Sequence, residues 1–300
     1  MASGNARGAG REDGWLMVTP TYRGDREQFA LLTESFQRYA PAGLLHQVIV
    51  DRADLPLFEP FRHDRMRLTA AEEVLPGRVR KITMAGRSAW VSTRFPPVRN
   101  WIAQQLMKIA AACASDRPFV LFADSDVVFL RPFGIDRFTD GHRVALSRVG
   151  AEFDDLPHWR RASARLLGLG DPRSFATVNY VSNLIPWRRD TARAMVARVE
   201  AHHRGGWAAA VARELRFSEY TLYGVFAEEV LGLDSAGLYP WDDPILNLCW
   251  DEPMGSRTEI DKLLERTDDA HIGAMFHSKA GFHPAHLRAA VEAWWSDGPA

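Results

Sequence analysis

The chain is poor in cysteine: Cys113 and Cys249 are the only two in 300 residues. Two thiols cannot build a disulfide framework or an all-cysteine zinc site. They suit a reducing compartment, each as a small core residue. A basic excess is also lacking. Lys plus Arg number 37 against 38 for Asp plus Glu, a formal net charge of −1. That argues against nucleic acid as a partner, because wholesale phosphate neutralisation needs a surplus of cations. Any anion-binding site must be local, built from a few placed cations. No apolar run approaches the ~20 residues of a membrane span, so no integral membrane segment is expected. The opening MASGNARGAGREDG has no apolar h-region and does not read as a secretory signal. Residues 1–13 are expected to be a disordered tail, and the protein to be cytoplasmic. Internal repeats and low-complexity tracts are absent.

What is present is an ordinary globular balance, 46% hydrophobic and 25% charged. Trp15-Leu16-Met17-Val18-Thr19 reads as a buried strand ending at Pro20. Phe29, Leu32, Phe36 and Tyr39 then fall at helical spacing, and His46 to Asp51 reads as a second strand. Strand–helix–strand at the start of a chain begins a parallel α/β sheet. Residues 52–78 read as irregular, with a short strand over Val79 to Met84. Ile102, Leu106, Ile109 and Cys113 form the apolar stripe of a helix over 99–114, with Asn100, Trp101, Gln104 and Lys108 on another face. Phe119 to Ala123 is a continuous apolar strand of the kind buried on both sides. Beyond it come extended pieces at 127–130, 143–147 and 178–186. Helices are expected at 158–169, 188–203, most of 206–232 and 284–295, with loops through 235–283.

The strongest chemical signal is FADSDVVFLRPF. A buried strand that runs into Asp124-Ser125-Asp126 puts two carboxylates at its carboxyl end, where open α/β sheets bind ligands. Asp124 and Asp126 can hold Mg²⁺ or Mn²⁺ through oxygen, with substrate phosphates completing the shell. An Asp-rich turn is the plain structural alternative.

The strings WLMVTPTY, WIAQQLMKIAA, FADSDVVFLRPF, NYVSNLIPWRRD and SEYTLYG resemble a bacterial family of uncharacterised GT-A-like proteins. More broadly, residues 118–133 and the element order over 15–130 resemble GT-A fold glycosyltransferases, whose DXD motif ends a buried strand. The resemblance implies a single GT-A-like, Rossmann-related α/β domain over 14–300, its mixed, mainly parallel sheet flanked by helices. Residues 14–150 would form the donor half and 151–300 the acceptor half. It implies a hexosyltransferase-like enzyme that uses a nucleotide-sugar donor, a UDP-sugar above all, and a small-molecule, glycan or peptide acceptor. Thr19, Pro20, Thr21 and Tyr22 would cradle the nucleotide and Asp51 would accept from base or ribose. Trp101, Lys108, Asp124 and Ser125 would face donor. Asp124, Asp126 and a late His277 would hold the metal, with Lys279 on the diphosphate. Each has a structural alternative: a turn, a solvated lysine, a packed tryptophan, one histidine in a His-rich segment.

Inverting transfer needs a carboxylate in reach of the acceptor hydroxyl. Glu219, at a helix start after Ser218, is the first candidate and Asp242 the second; Glu228, Glu229 and Asp243 are further ones. A capping role explains Ser218-Glu219 equally simply. Asn179, Ser182 and Asn183 form a polar patch for donor sugar or acceptor, and Trp241 offers a stacking face. Two other readings stand. One is a haloacid-dehalogenase-type phosphatase, in which Asp124 is the nucleophile beside Mg²⁺, though such a motif usually opens its domain. The other is a nucleotide-sugar-binding module without turnover.

Overall fold

The computed structural model describes residues 11–84, 87–148, 154–170, 178–242, 245–249, 255–277 and 280–297. In chain order its main elements are β1 (Trp15–Pro20), α1 (Arg26–Tyr39), β2 (Leu45–Val50), the short α2 (Leu55–Phe58), β3 (Met66–Ala70) and α3 (Ala71–Val74). The hairpin β4 (Val79–Met84) and β5 (Arg87–Ser92), α4 (Asn100–Ala114), β6 (Phe119–Ala123) and β7 (Val127–Phe129) follow. Then come β8 (Thr139–Asp140), β9 (Arg143–Ser147), α5 (Leu156–Leu167), β10 (Leu184–Arg188), α6 (Arg189–His202), α7 (Trp207–Ala212) and α8 (Glu219–Val225). The chain closes with α9 (Leu233–Ala236), β11 (Leu238–Trp241), β12 (Leu246–Cys249), α10 (Arg257–Glu265), β13 (Gly273–Phe276) and α11 (Pro284–Asp297).

The central sheet has the order β10-β6-β1-β2-β3. β1 runs parallel to both β2 and β6, and β2 parallel to β3; β10 alone is antiparallel, against β6. This is the expected α/β architecture, a mixed, mainly parallel sheet flanked by helices. Every residue of β1 and β6 is buried, as parallel strands covered on both faces must be. Trp15 stacks on Phe119 at 5.0 Å across this pair, and Trp187 of β10 stacks on Tyr223 of α8 at 4.2 Å. No described helix is long and apolar enough to cross a membrane.

Several elements differ from expectation. Residues 66–70 form β3 although only Met66 and Ala70 are buried, because the edge of the sheet needs little apolar surface. The extended stretch at 178–186 shortens to β10, and 206–232 breaks into α7, α8 and a π-helical turn at Phe226–Leu231. Within 235–283, loops give way to β11, β12, α10 and β13. The small sheet β12-β13-β7 decides the geometry of the site. The chain leaves β6, turns through Asp124-Ser125-Asp126, and enters β7, which pairs antiparallel with β13. Phe276 N–H donates to the Asp126 carbonyl at 3.0 Å. His277 is thereby delivered to the turn from a position 151 residues later in the chain.

Candidate active site

Two cavities share Asp25, Trp101 and Gln104 in their walls. The first, about 290 Å³, lies at the carboxyl ends of β1 and β2 and is lined by Pro20, Thr21, Tyr22, Asp51, Lys81 and Trp90. Thr21 hangs past the end of β1 by its N–H, which donates to Ile49 O at 2.9 Å. Its hydroxyl is buried with no hydrogen-bond partner among the described residues. Buried hydroxyls are ordinarily satisfied, so this one marks a place for a ligand or water. The loop that carries it is tied down by Asp54, whose buried carboxylate accepts from Arg23 N–H at 3.1 Å and from Arg23 Nε at 2.9 Å. Gly24 lets the Tyr22 ring fold over the backbone; a Cβ there would stand 2.4 Å from the ring. Lys81 forms an ion pair with Asp51 and lies 5.5 Å from the centroid of Trp90.

The second cavity, about 320 Å³, opens over the end of β6. Its centre is Lys108, a buried ammonium on α4. Lys108 Nζ donates to Asp124 Oδ1 at 2.8 Å and to the Tyr220 hydroxyl at 2.8 Å, and lies 3.2 Å from Glu219 Oε1. Burial alone would push the ammonium pKa down, but Asp124, Tyr220 and Glu219 outweigh it and hold it well above its ordinary value. Burial raises the pKa of Glu219, with Lys108 opposing it. Ser218 caps α8, its hydroxyl accepting from Thr221 N–H at 3.3 Å, and Gln105 Oε1 accepts from Glu219 N–H at 3.1 Å. The capping and the functional readings of Ser218-Glu219 therefore coexist: the cap positions the carboxylate in the wall.

The second aspartate of the turn is different. Asp126 keeps some surface as a residue, but its Oδ1 is sealed from solvent and has no hydrogen-bond partner among the described residues. Burial, then the neighbouring charges of Asp124 and Asp25, push its carboxyl up to about 8. Asp25, at the start of α1, is raised as well, first by burial; Ser125 Oγ donates to its Oδ2 at 3.0 Å. On the other side of the turn, Asn183 Nδ2 approaches Asp124 Oδ2 at 3.5 Å. Four carboxyl groups, Asp25, Asp124, Asp126 and Glu219, thus line a cavity whose wall carries one lysine and one histidine, Lys108 and His277.

Among the described residues no three His, Cys, Asp or Glu side chains are grouped to cage a metal ion unaided. The donor set is instead that of an open site. Asp126 offers a sealed, unpartnered oxygen and Asp124 is engaged by Lys108, so a hard divalent cation there would need oxygens from a ligand. The residues fit such an ion only in company with a phosphate or similar group.

Of the residues singled out by sequence, the first cavity gathers Pro20, Thr21, Tyr22, Asp51 and Trp101. The second gathers Trp101, Lys108, Asp124, Ser125, Asp126, Ser182, Asn183, Glu219 and His277. Four lie elsewhere. Thr19 faces into the sheet packing, where its hydroxyl meets His46 Nε2 at 2.9 Å. Asn179 is buried and turned back on its own chain, accepting from Val181 N–H at 3.0 Å. Trp241 packs edge-on against Phe138 at 6.1 Å, and Asp242 is exposed beyond β11, lining neither cavity. Lys279 is outside the described residues. Sequence reasoning missed Asp25, Tyr220, Gln105 and Lys81 as cavity residues. Tyr220 was within reach as the neighbour of Glu219, and Gln105 as the neighbour of Gln104. Asp25 carries no comparable signal in the sequence.

A family model described as a family of unknown function, DUF6492, matches residues 16–243. The chain belongs to that family. No curated protein matches it.

Proposed function

We propose that this DUF6492 member is a metal-dependent glycosyltransferase that moves a sugar from a nucleotide sugar, in our reading a UDP-sugar, to an acceptor hydroxyl or other nucleophile. The supporting observation is the pairing of two cavities at the carboxyl edge of a parallel sheet. One is flanked by aromatic rings and holds an unpartnered threonine hydroxyl; the other is walled by four carboxyls. A diphosphate cannot enter an acidic cavity with one internal ammonium unless more positive charge comes with it. Asp126, with Asp124 and His277 beside it, would hold a Mn²⁺ or Mg²⁺ ion that arrives with the donor. When bound, that ion neutralises the departing diphosphate as a Lewis acid.

The chain's own groups do the rest. Thr21, Tyr22 and Asp51 bind and orient the nucleoside. Lys108, held charged by its three neighbours, fixes Asp124 and opposes the burial that raises the Glu219 carboxyl. Glu219, its carboxyl in the wall of the second cavity, accepts the proton of the acceptor as a general base. A screen of UDP-, GDP- and TDP-sugars for donor hydrolysis with Mn²⁺ tests this reading. Slow release of nucleoside diphosphate from one donor class is the expected result, and none from any donor overturns it.

A second reading rests on the sealed Asp126 Oδ1: burial and the neighbouring charges of Asp124 and Asp25 push this carboxyl towards its protonated form, the form a general acid needs beside a nucleophilic Asp124, as in a phosphatase. Hydrolysis of an aryl phosphate without sugar transfer would select it.

A further inference from the structure

Outside the two cavities, the hairpin β4–β5 carries a third opening. The hairpin has two chemically distinct faces, because successive side chains of a strand point to opposite sides. Lys81 points to the first cavity and pairs with Asp51. Arg80, the residue before Lys81, and Arg78, just ahead of β4, line an open cleft of about 670 Å³ on the other face, together with Arg52, Glu72, Gly77 and Thr93.

The charges in this cleft are unevenly matched. Arg52 is already neutralised: its guanidinium meets Glu73 Oε1 at 2.9 Å and its N–H donates to Glu72 Oε2 at 3.0 Å. The hydroxyls are committed as well. Thr93 Oγ1 accepts from Arg78 N–H at 3.1 Å, and Ser92 Oγ donates to Pro76 O at 2.9 Å. Arg78 and Arg80 have no carboxylate partner among the described residues; Glu72, in the same cleft, accepts from Arg52 N–H instead. From Val74 to Ser115 the sequence contains no Asp or Glu at all, against six Arg and Lys before α4 and Lys108 within it. In a chain of net charge −1, this is where uncompensated positive charge collects. Gly77, at φ +91°, shapes the floor: a Cβ there would stand 2.6 Å from Arg94 Cγ and 2.9 Å from the Ser92 and Thr93 hydroxyls.

We propose that this cleft binds a diphosphate-bearing anion through Arg78 and Arg80, at a site separate from the paired cavities. Arg80 stands on β4 and Arg78 just before it, held to the hairpin by Thr93 N–H, which donates to Arg78 O at 3.2 Å; both line one cleft, which suits two linked phosphoryl groups. Each guanidinium presents a fork of donors that matches phosphate oxygens in pairs. The inference does not rest on the proposed sugar transfer.

The test is titration of inorganic pyrophosphate, in chelator and without divalent metal, into wild type and into the Arg78→Gln/Arg80→Gln double variant. Both positions are exposed, so the variant should melt like wild type. Pyrophosphate binding that weakens roughly tenfold or more in the variant supports the site. A parallel arm measures co-sedimentation with phosphatidylglycerol and with phosphatidylcholine vesicles. Binding to the anionic vesicles, lost in the variant and without pyrophosphate binding, overturns the diphosphate assignment, because phosphatidylglycerol carries a single phosphodiester. Equal behaviour of wild type and variant in both arms overturns it. Metal-dependent nucleotide binding, measured on the same double variant, should be unchanged, so a failure here is distinguishable from a failure of the transfer reading.

Discussion

Lys108 Nζ stands 2.8 Å from Asp124 Oδ1, an ion pair between the polar face of α4 and the end of β6, with the ammonium buried. Removing one member of such a pair leaves the other buried and uncompensated, the larger penalty in ionic networks. Lys108→Met should destabilise the fold by about 3 kcal/mol, read as a fall in the urea midpoint. Adding Glu219→Gln to it should recover part of the loss, because one stranded carboxylate disappears. An unchanged midpoint in Lys108→Met would show that the pair is not buried as described.

Asp126 gives the stability a definite pH dependence. Its folded pKa is raised, from 3.8 to about 8. The folded protein therefore holds a proton that the unfolded chain has already released, and stability falls as pH rises across that window. In chelator, the urea midpoint of wild type should drop between pH 5 and pH 8. Asp126→Asn, which stays neutral, should flatten that difference. A wild-type profile no steeper than that of the variant would contradict the assignment.

Much of this site was legible in the sequence. The apolar run of β6 ending in Asp124-Ser125-Asp126 and the face of α4 shared by Gln104 and Lys108 both follow from periodicity. What sequence could not reach was side-chain direction at strand ends. Thr19 and Thr21 look equivalent in VTPTY, yet Thr19 is inside the strand and turns to His46, while Thr21 is beyond it and turns to the cavity. Nor could it see that β3 joins the sheet edge on two buried side chains, or that the 235–283 region supplies β13. That strand brings His277 to the Asp124-Ser125-Asp126 turn through pairing with β7, a long-range contact with no local signal.

Gly224 on α8 lies against the Tyr180 ring, and a Cβ there would stand 2.3 Å from it. Tyr180 is 3% exposed and has no room to retreat. Gly224→Ala should therefore cost about 2 kcal/mol or more, as overpacking does, despite the better helix propensity of alanine. A thermal melt at or above wild type would mean that the ring can move aside.

Glu219→Gln keeps the shape of the wall and removes the charge. If Glu219 is the base, turnover should fall roughly 10²-fold or more with little change in nucleotide affinity. Steady-state kinetics with the donor found by screening separates the two quantities. Near-normal turnover would move the base elsewhere or point to a retaining route.

The account depends most on Asp126 and the cation it would share with a diphosphate. The direct measurement is calorimetric titration of UDP into wild type and into Asp126→Ala, each with and without Mn²⁺. The account predicts tight binding only for wild type with Mn²⁺, and a marked loss for the variant under the same conditions. Equal affinities in all four titrations would contradict it.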